Sequence, residues 1–162
     1  GEETAVTARC EDGAIGPLPR AHGEGRFTTR DPETFRELEE NGQVPFRYCT
    51  AVGDPAESFP DNPNGAMGAA AALVNPRGNV MAIMPHPERG AWLRQVPPAL
   101  PGEWGDLRRR HYRSRADLDG PGPGRRLFFS MLDYILWRRE RGGMPSRTAP
   151  VAAAGRRDGA GS

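Results

Sequence analysis

The chain contains no lysine. All 22 of its basic residues are arginine, set against 21 acidic residues, so the net charge is only +1. That balance excludes a global electrostatic pull toward nucleic acid or a membrane surface. Isoleucine is scarce too, with three in 162 residues, while Ala, Gly and Pro abound. This is the mark of GC-rich coding and says little about function. There are only two cysteines, Cys10 and Cys49. They show neither metal-ligand spacing nor a disulfide framework, and a reducing cytoplasm is the expected setting. No apolar run approaches the ~20 residues that span a bilayer. No signal peptide is visible, and no initiator Met precedes Gly1-Glu2-Glu3, which points to a fragment.

What is present suffices for one domain with a core. The 21 Gly and 17 Pro predict long loops. Thr4–Ala8 reads as a strand, and His22-Gly23-Glu24-Gly25-Arg26-Phe27 as a glycine-rich turn. Asp31-Pro32 is a helix start, with Asp at the N-cap and Pro in the first helical position. Phe35 and Leu38 give that helix its apolar stripe, and Asn41-Gly42 ends it. Val44–Cys49 reads as a strand, and residues 50–65 as a loop closing in Asn62-Pro63-Asn64-Gly65. Ala69–Val74 and Asn79–Met84 then form a hairpin about Asn75-Pro76-Arg77-Gly78.

Residues 90–124 are rich in Arg, Gly and Pro and predict no element longer than a turn or two; about 93–124 reads as a loop-rich insertion. Arg125–Arg141 is the clearest helix. Leu127, Phe128, Met131, Leu132, Ile135 and Leu136 make one broad apolar face, expected to cover a sheet, and Gly142-Gly143 stops it. Residues 142–162 are small and polar and predict a disordered tail.

One stretch carries chemistry. The apolar run Asn79–Met84 breaks off into Pro85-His86-Pro87-Glu88-Arg89. In an extended segment, side chains two apart share a face, and the prolines hold their neighbours extended. A carboxylate that accepts one ring N–H fixes the imidazole tautomer and frees the other nitrogen to take a proton. That is the base-and-orienter half of a nucleophilic triad. The end of a strand is also where α/β folds place their sites. An isolated H-x-E pair is more often an ordinary surface pair.

Context decides between these readings. "AHGEGRF" (21–27), "GQVPFRY" (42–48), "NPNG" (62–65) and "MPHPER" (84–89) occur in this order. Together they closely resemble the glutamine amidotransferase subunits of phosphoribosylformylglycinamidine synthase, an enzyme of purine biosynthesis. The similarity runs from about Leu18 to Arg89 and more loosely through 125–141. It implies a three-layer, flavodoxin-like α/β domain of the class I amidotransferases. In that chemistry a cysteine thiolate attacks the side-chain amide of glutamine, ammonia leaves, and water hydrolyses the thioester. The ammonia passes to a synthetase subunit or domain, with or without a small accessory subunit. That partner uses ATP and Mg to convert formylglycinamide ribonucleotide to its amidine. His86 matches the catalytic histidine and Glu88 its orienting carboxylate.

The family's nucleophile sits in a G-x-C-x-G elbow upstream of these motifs. Cys10 in "ARCEDG" and Cys49 in "FRYCTAV" do not fit it. The expectation is therefore the C-terminal half of a glutaminase, inactive alone, needing no cofactor of its own, and left with exposed strand edges. The ending favours a separate small subunit over the end of a long chain. Three other readings stand beside this one. His22/Glu24 and His86/Glu88 offer two carboxylate–histidine pairs to a metal. "LRRRHYRSR" (107–115) is a basic stretch of the kind nucleic-acid modules use, though Asp106, Asp117 and Asp119 flank it. The third is a non-catalytic half-domain that docks on the synthetase.

Overall fold

The computed structural model describes residues 4–21 and 23–140. The expected tail at 142–162 and His22 lie outside the described residues.

Helix α1 spans Pro32–Glu40. It starts as its sequence dictates: an Asp31 carboxylate oxygen accepts from the Glu33 N–H at 3.1 Å, and Pro32 has no N–H to satisfy. It stops at Asn41-Gly42, where Gly42 takes a φ of 66°. Its Phe35 is buried.

Strands β1 (Phe46–Arg47), β2 (Ala70–Val74) and β3 (Met81–Ile83) form an antiparallel sheet in the order β1-β2-β3. Ala72 opposes Phe46 on one side and Ile83 on the other. The β2–β3 hairpin forms as expected, although β3 is only three residues long where Asn79–Met84 reads as a strand. The Asn75 side-chain oxygen accepts from the Asn79 and Val80 N–H groups at 3.0 Å, and Gly78 supplies a φ of 63°. β1 is shorter than predicted. Pro45 has no N–H for the ladder, and Cys49 leaves the sheet to bridge Pro55. Gly68 precedes β2 with a φ of 54°, and a side chain there would strike the Phe35 ring. The loop before β2 hangs on Asn62, which is 3% exposed. Its amide donates to the Ala56 and Ala66 carbonyls at 3.2 and 3.0 Å and accepts from the Ala66 N–H at 2.8 Å.

Three expectations need correction. Thr4–Ala8 is a run of turns. The Thr4 hydroxyl accepts from the Val6 N–H, and the Thr7 hydroxyl from the Thr4 N–H, so the side chains compete with strand pairing. Residues 90–124 are not all loop: helix α2 covers Glu103–Ser114. It lacks a side-chain N-cap, but acidic residues fill its first turn and His111 and Arg113 its last, complementing the helix dipole. Helix α3, Arg125–Glu140, forms as expected, yet much of its broad apolar stripe is uncovered. Leu127 and Ser130 are buried, while Phe128, Leu132, Ile135 and Leu136 stay 41–55% exposed. The buried side of α3 meets the 87–90 turn and the N-terminal segment. There the Arg9 N–H donates to the Ser130 hydroxyl at 3.0 Å, and the Arg9 guanidinium pairs with Asp133.

The core is thin. Its cluster is Tyr48, Ala56, Ala66, Ala69 and Ala71, with Phe46 and Met84 against it. The basic stretch 107–115 lies mainly on α2, where Arg109 is engaged by Asp106 and the Pro98 carbonyl. Among the described residues no helix is long and apolar enough to cross a membrane.

The two sides of α3 should respond differently to truncation. Leu127→Ala is expected to cost about 2–5 kcal/mol in urea unfolding, and Ile135→Ala within about 0.5 kcal/mol. Equal losses would mean that the stripe is covered in solution.

Candidate active site

His86 lies just beyond β3. The residue before a proline is held out of helical conformation, and His86 is extended at φ −105°, ψ 88°. Pro87 then opens a 3₁₀ turn, Pro87–Gly90. The segment is therefore not extended through Glu88, as the sequence suggested, because Pro87 suits the first position of a helical turn. The turn nonetheless brings the pair together: His86 Nδ1 lies 2.7 Å from Glu88 Oε1. An ionised carboxylate only accepts, so in this contact the ring donates through Nδ1–H, and in the neutral imidazole that leaves Nε2 as the acceptor. The His86 side chain is 31% exposed and that of Glu88 is 56% exposed.

Two pieces of backbone fix this turn. From one side the Pro19 carbonyl accepts the His86 N–H at 2.8 Å. From the other, a glycine–proline strap at 118–124 crosses residues 90–94. The Gly124 and Gly122 N–H groups donate to the Gly90 and Ala91 carbonyls at 2.9 Å. In return, the Leu93 and Arg94 N–H groups donate to the Gly120 and Leu118 carbonyls at 2.9 and 2.8 Å. The approach is so close that a side chain at Gly124 would collide with the Pro87 carbonyl. Inside the bend, Leu93 is 1% exposed.

Beside Glu88 lies an open depression of about 320 Å³, lined by Glu88, Ala91, Trp92, Arg125 and Phe128. The Arg125 guanidinium sits 4.1 Å from the centre of the Trp92 ring, a cation–π contact.

The Glu88 carboxyl is held below its ordinary 4.5, first by its own backbone N–H, then by the His86 ring, with smaller help from the charges of His86 and Arg89. Cys49 is shifted the other way. Burial chiefly, and the charge of Asp61, push its thiol up, which disfavours the thiolate a nucleophile needs. Among the described residues no group of three or more His, Cys, Asp or Glu is placed to hold a metal ion.

The motif segments also meet. The Asn64 amide donates to the Gly25 carbonyl at 2.9 Å, and the Met67 N–H to the Phe27 carbonyl at 3.0 Å. Pro19 thus meets the His86 turn, and residues 25–27 meet the Asn62–Gly65 loop and the residues just after it. Glu24 is exposed on this stretch. Sequence reasoning missed Pro19, Trp92, Gln95, the strap and Arg125 as parts of the site. Only Gln95 left a signal, a glutamine three residues after Trp92, the spacing at which a side chain caps a turn.

A family model described as the CobB/CobQ-like glutamine amidotransferase domain matches residues 2–135. Among curated proteins, the chain is 39% identical over 127 residues to "Phosphoribosylformylglycinamidine synthase subunit PurQ" of Methanothrix thermoacetophila, covering 78% of this chain and 43% of that protein. Proteins of the same name from Aquifex aeolicus and Moorella thermoacetica are 42% and 43% identical, over 56% and 54% of this chain and 38% and 36% of theirs. The chain thus spans less than half the length of these relatives.

Two outcomes are expected. Glu88 titrates below its ordinary value when folded, so the stability it contributes is present above pH 4.5 and is lost as pH falls through the lower folded value. Glu88→Gln should remove that part of the acid limb in urea midpoints measured against pH; an unchanged limb would contradict the pairing. Gly124→Ala should cost about 1–3 kcal/mol through the forced clash, read by the same unfolding, and a neutral result would contradict the close approach.

Proposed function

Because the chain belongs to the CobB/CobQ-like glutamine amidotransferase domain family, a class I amidotransferase family, we propose that it carries the proton-transfer half of a glutaminase. The whole enzyme would supply ammonia to phosphoribosylformylglycinamidine synthase in the cytoplasm. In this reading the sheet and helices are the later part of a three-layer, flavodoxin-like domain.

The observation that carries the reading is the 2.7 Å contact between His86 Nδ1 and Glu88. With Nδ1–H held by Glu88, Nε2 takes the proton of a cysteine thiol as the sulfur attacks the glutamine side-chain carbonyl. The same proton passes to the departing amide nitrogen, which leaves as ammonia. His86 then takes a proton from water as it attacks the thioester, and returns it to the sulfur as glutamate is released. Glu88 remains ionised throughout and offsets the positive charge on the ring. The ammonia goes to a synthetase subunit or domain that supplies ATP and Mg, with an accessory subunit as a further component.

The chain has no G-x-C-x-G sequence, and the raised Cys49 thiol is a poor stand-in. These 162 residues alone are therefore expected to release no ammonia from glutamine. The exposed stripe of α3 favours a second reading, a non-catalytic half-domain that docks on the synthetase.

The test is an ammonia-release assay with the chain alone, and again with the N-terminal portion of the Methanothrix relative added. The expected result is no activity alone and activity on mixing, with His86→Ala lowering it about 10⁴-fold, in line with the loss of a triad member. Activity from the chain alone would overturn the half-enzyme reading, and undiminished activity in His86→Ala would overturn the role of His86. Synthetase binding without activity on mixing would favour the docking reading.

A further inference from the structure

We infer that Gln95 is a positioning residue for the His86–Glu88 pair; this rests on the proposed proton-transfer role of that pair. Gln95 ends a short 3₁₀ turn, Leu93–Gln95. That turn is anchored by Leu93, 1% exposed, and by the Leu93 N–H on the Gly120 carbonyl at 2.9 Å. From this base the Gln95 side chain reaches back. Its oxygen accepts from the Trp92 N–H at 2.9 Å, and its amide nitrogen donates to the Glu88 carbonyl at 3.1 Å. The assignment of O and N is fixed by the partners, since a backbone N–H can only donate and a carbonyl can only accept.

The consequence is geometric. The Glu88 side chain is 56% exposed, so packing does little to fix its direction. That direction follows from the backbone, and the peptide plane after Glu88 is what Gln95 holds. Within that turn, the Arg89 N–H donates to the His86 carbonyl at 3.2 Å, which ties the turn to itself; the Gln95 amide ties it to the bend that follows. Gln95 thus links the buried Leu93 bend to the carboxylate that sets the tautomer of His86. Conformational support of this kind fixes the ring nitrogen that carries the proton without touching the ring.

The experiment is ¹⁵N NMR of the full chain, labelled at histidine, at pH 7. It reads the ratio of Nδ1–H to Nε2–H tautomer at His86. His111 is the internal reference, its Nδ1 lying 2.9 Å from the Asp117 carbonyl. Gln95→Glu keeps an oxygen for the Trp92 N–H but has no donor for the Glu88 carbonyl; Gln95→Ala loses both contacts. Each should lower the His86 ratio about fivefold, the weight of one ordinary hydrogen bond, with His111 unmoved, and Glu88→Ala should lower it further. If Glu88→Ala shifts the ratio and both Gln95 variants leave it unchanged, the role of Gln95 is overturned and the pair stands. If His111 moves along with His86 in both Gln95 variants, the effect is general loosening, and the positioning role is overturned. If Glu88→Ala itself changes nothing, the proton-transfer reading of the pair fails.

Discussion

The hydrogen bond between His86 Nδ1 and Glu88, 2.7 Å long, has chemical consequence only if the turn that carries both residues is rigid. The two side chains are partly open to water, and a surface pair between mobile groups contributes little. Here the rigidity comes from backbone. The Pro19 carbonyl holds the His86 N–H, and the glycine–proline strap pins residues 90–94 from the opposite side. The strap can lie that close because Gly122 and Gly124 have no side chain to keep it away. Two segments far apart in sequence, at Pro19 and at 118–124, thus converge on the turn and the residues just after it.

The rest of the molecule is lightly built by comparison. Alanines dominate the buried residues, and few large side chains are fully enclosed among the described residues. Alanine buries little apolar area per residue, so the sheet alone offers a small core. Four of the six stripe residues of α3 face outward although their spacing is that of a packing helix. Both facts stand beside a chain that spans less than half the length of the relatives it matches.

The parts of the fold that were legible in the sequence are those whose determinants are local. Asp31-Pro32 and Asn41-Gly42 bracket α1 through caps made by neighbours, and Asn75–Gly78 closes the hairpin through its own side chain. The parts that were not legible depend on competition or distance. Thr4 and Thr7 carry strand-forming side chains, but their hydroxyls capture backbone N–H groups instead. α2 hides because its arginines read as loop charge and its N-cap offers no polar side chain. At the site, His86 and Glu88 were visible because they stand two residues apart in one motif. The strap was not, because its function lies in main-chain groups that any sequence has and in the absence of side chains at Gly122 and Gly124. By sequence alone Pro87 stiffens an extended chain, whereas in the structure its fixed φ opens a helical turn.

The central claim is that Glu88 dictates where the proton sits on His86. Neutron diffraction from deuterated crystals at neutral pH would locate it directly. The account predicts a deuteron on Nδ1 directed at the Glu88 carboxylate and none on Nε2. A deuteron on Nε2 with Nδ1 bare, or a Glu88 carboxylate turned away from the ring, would contradict it.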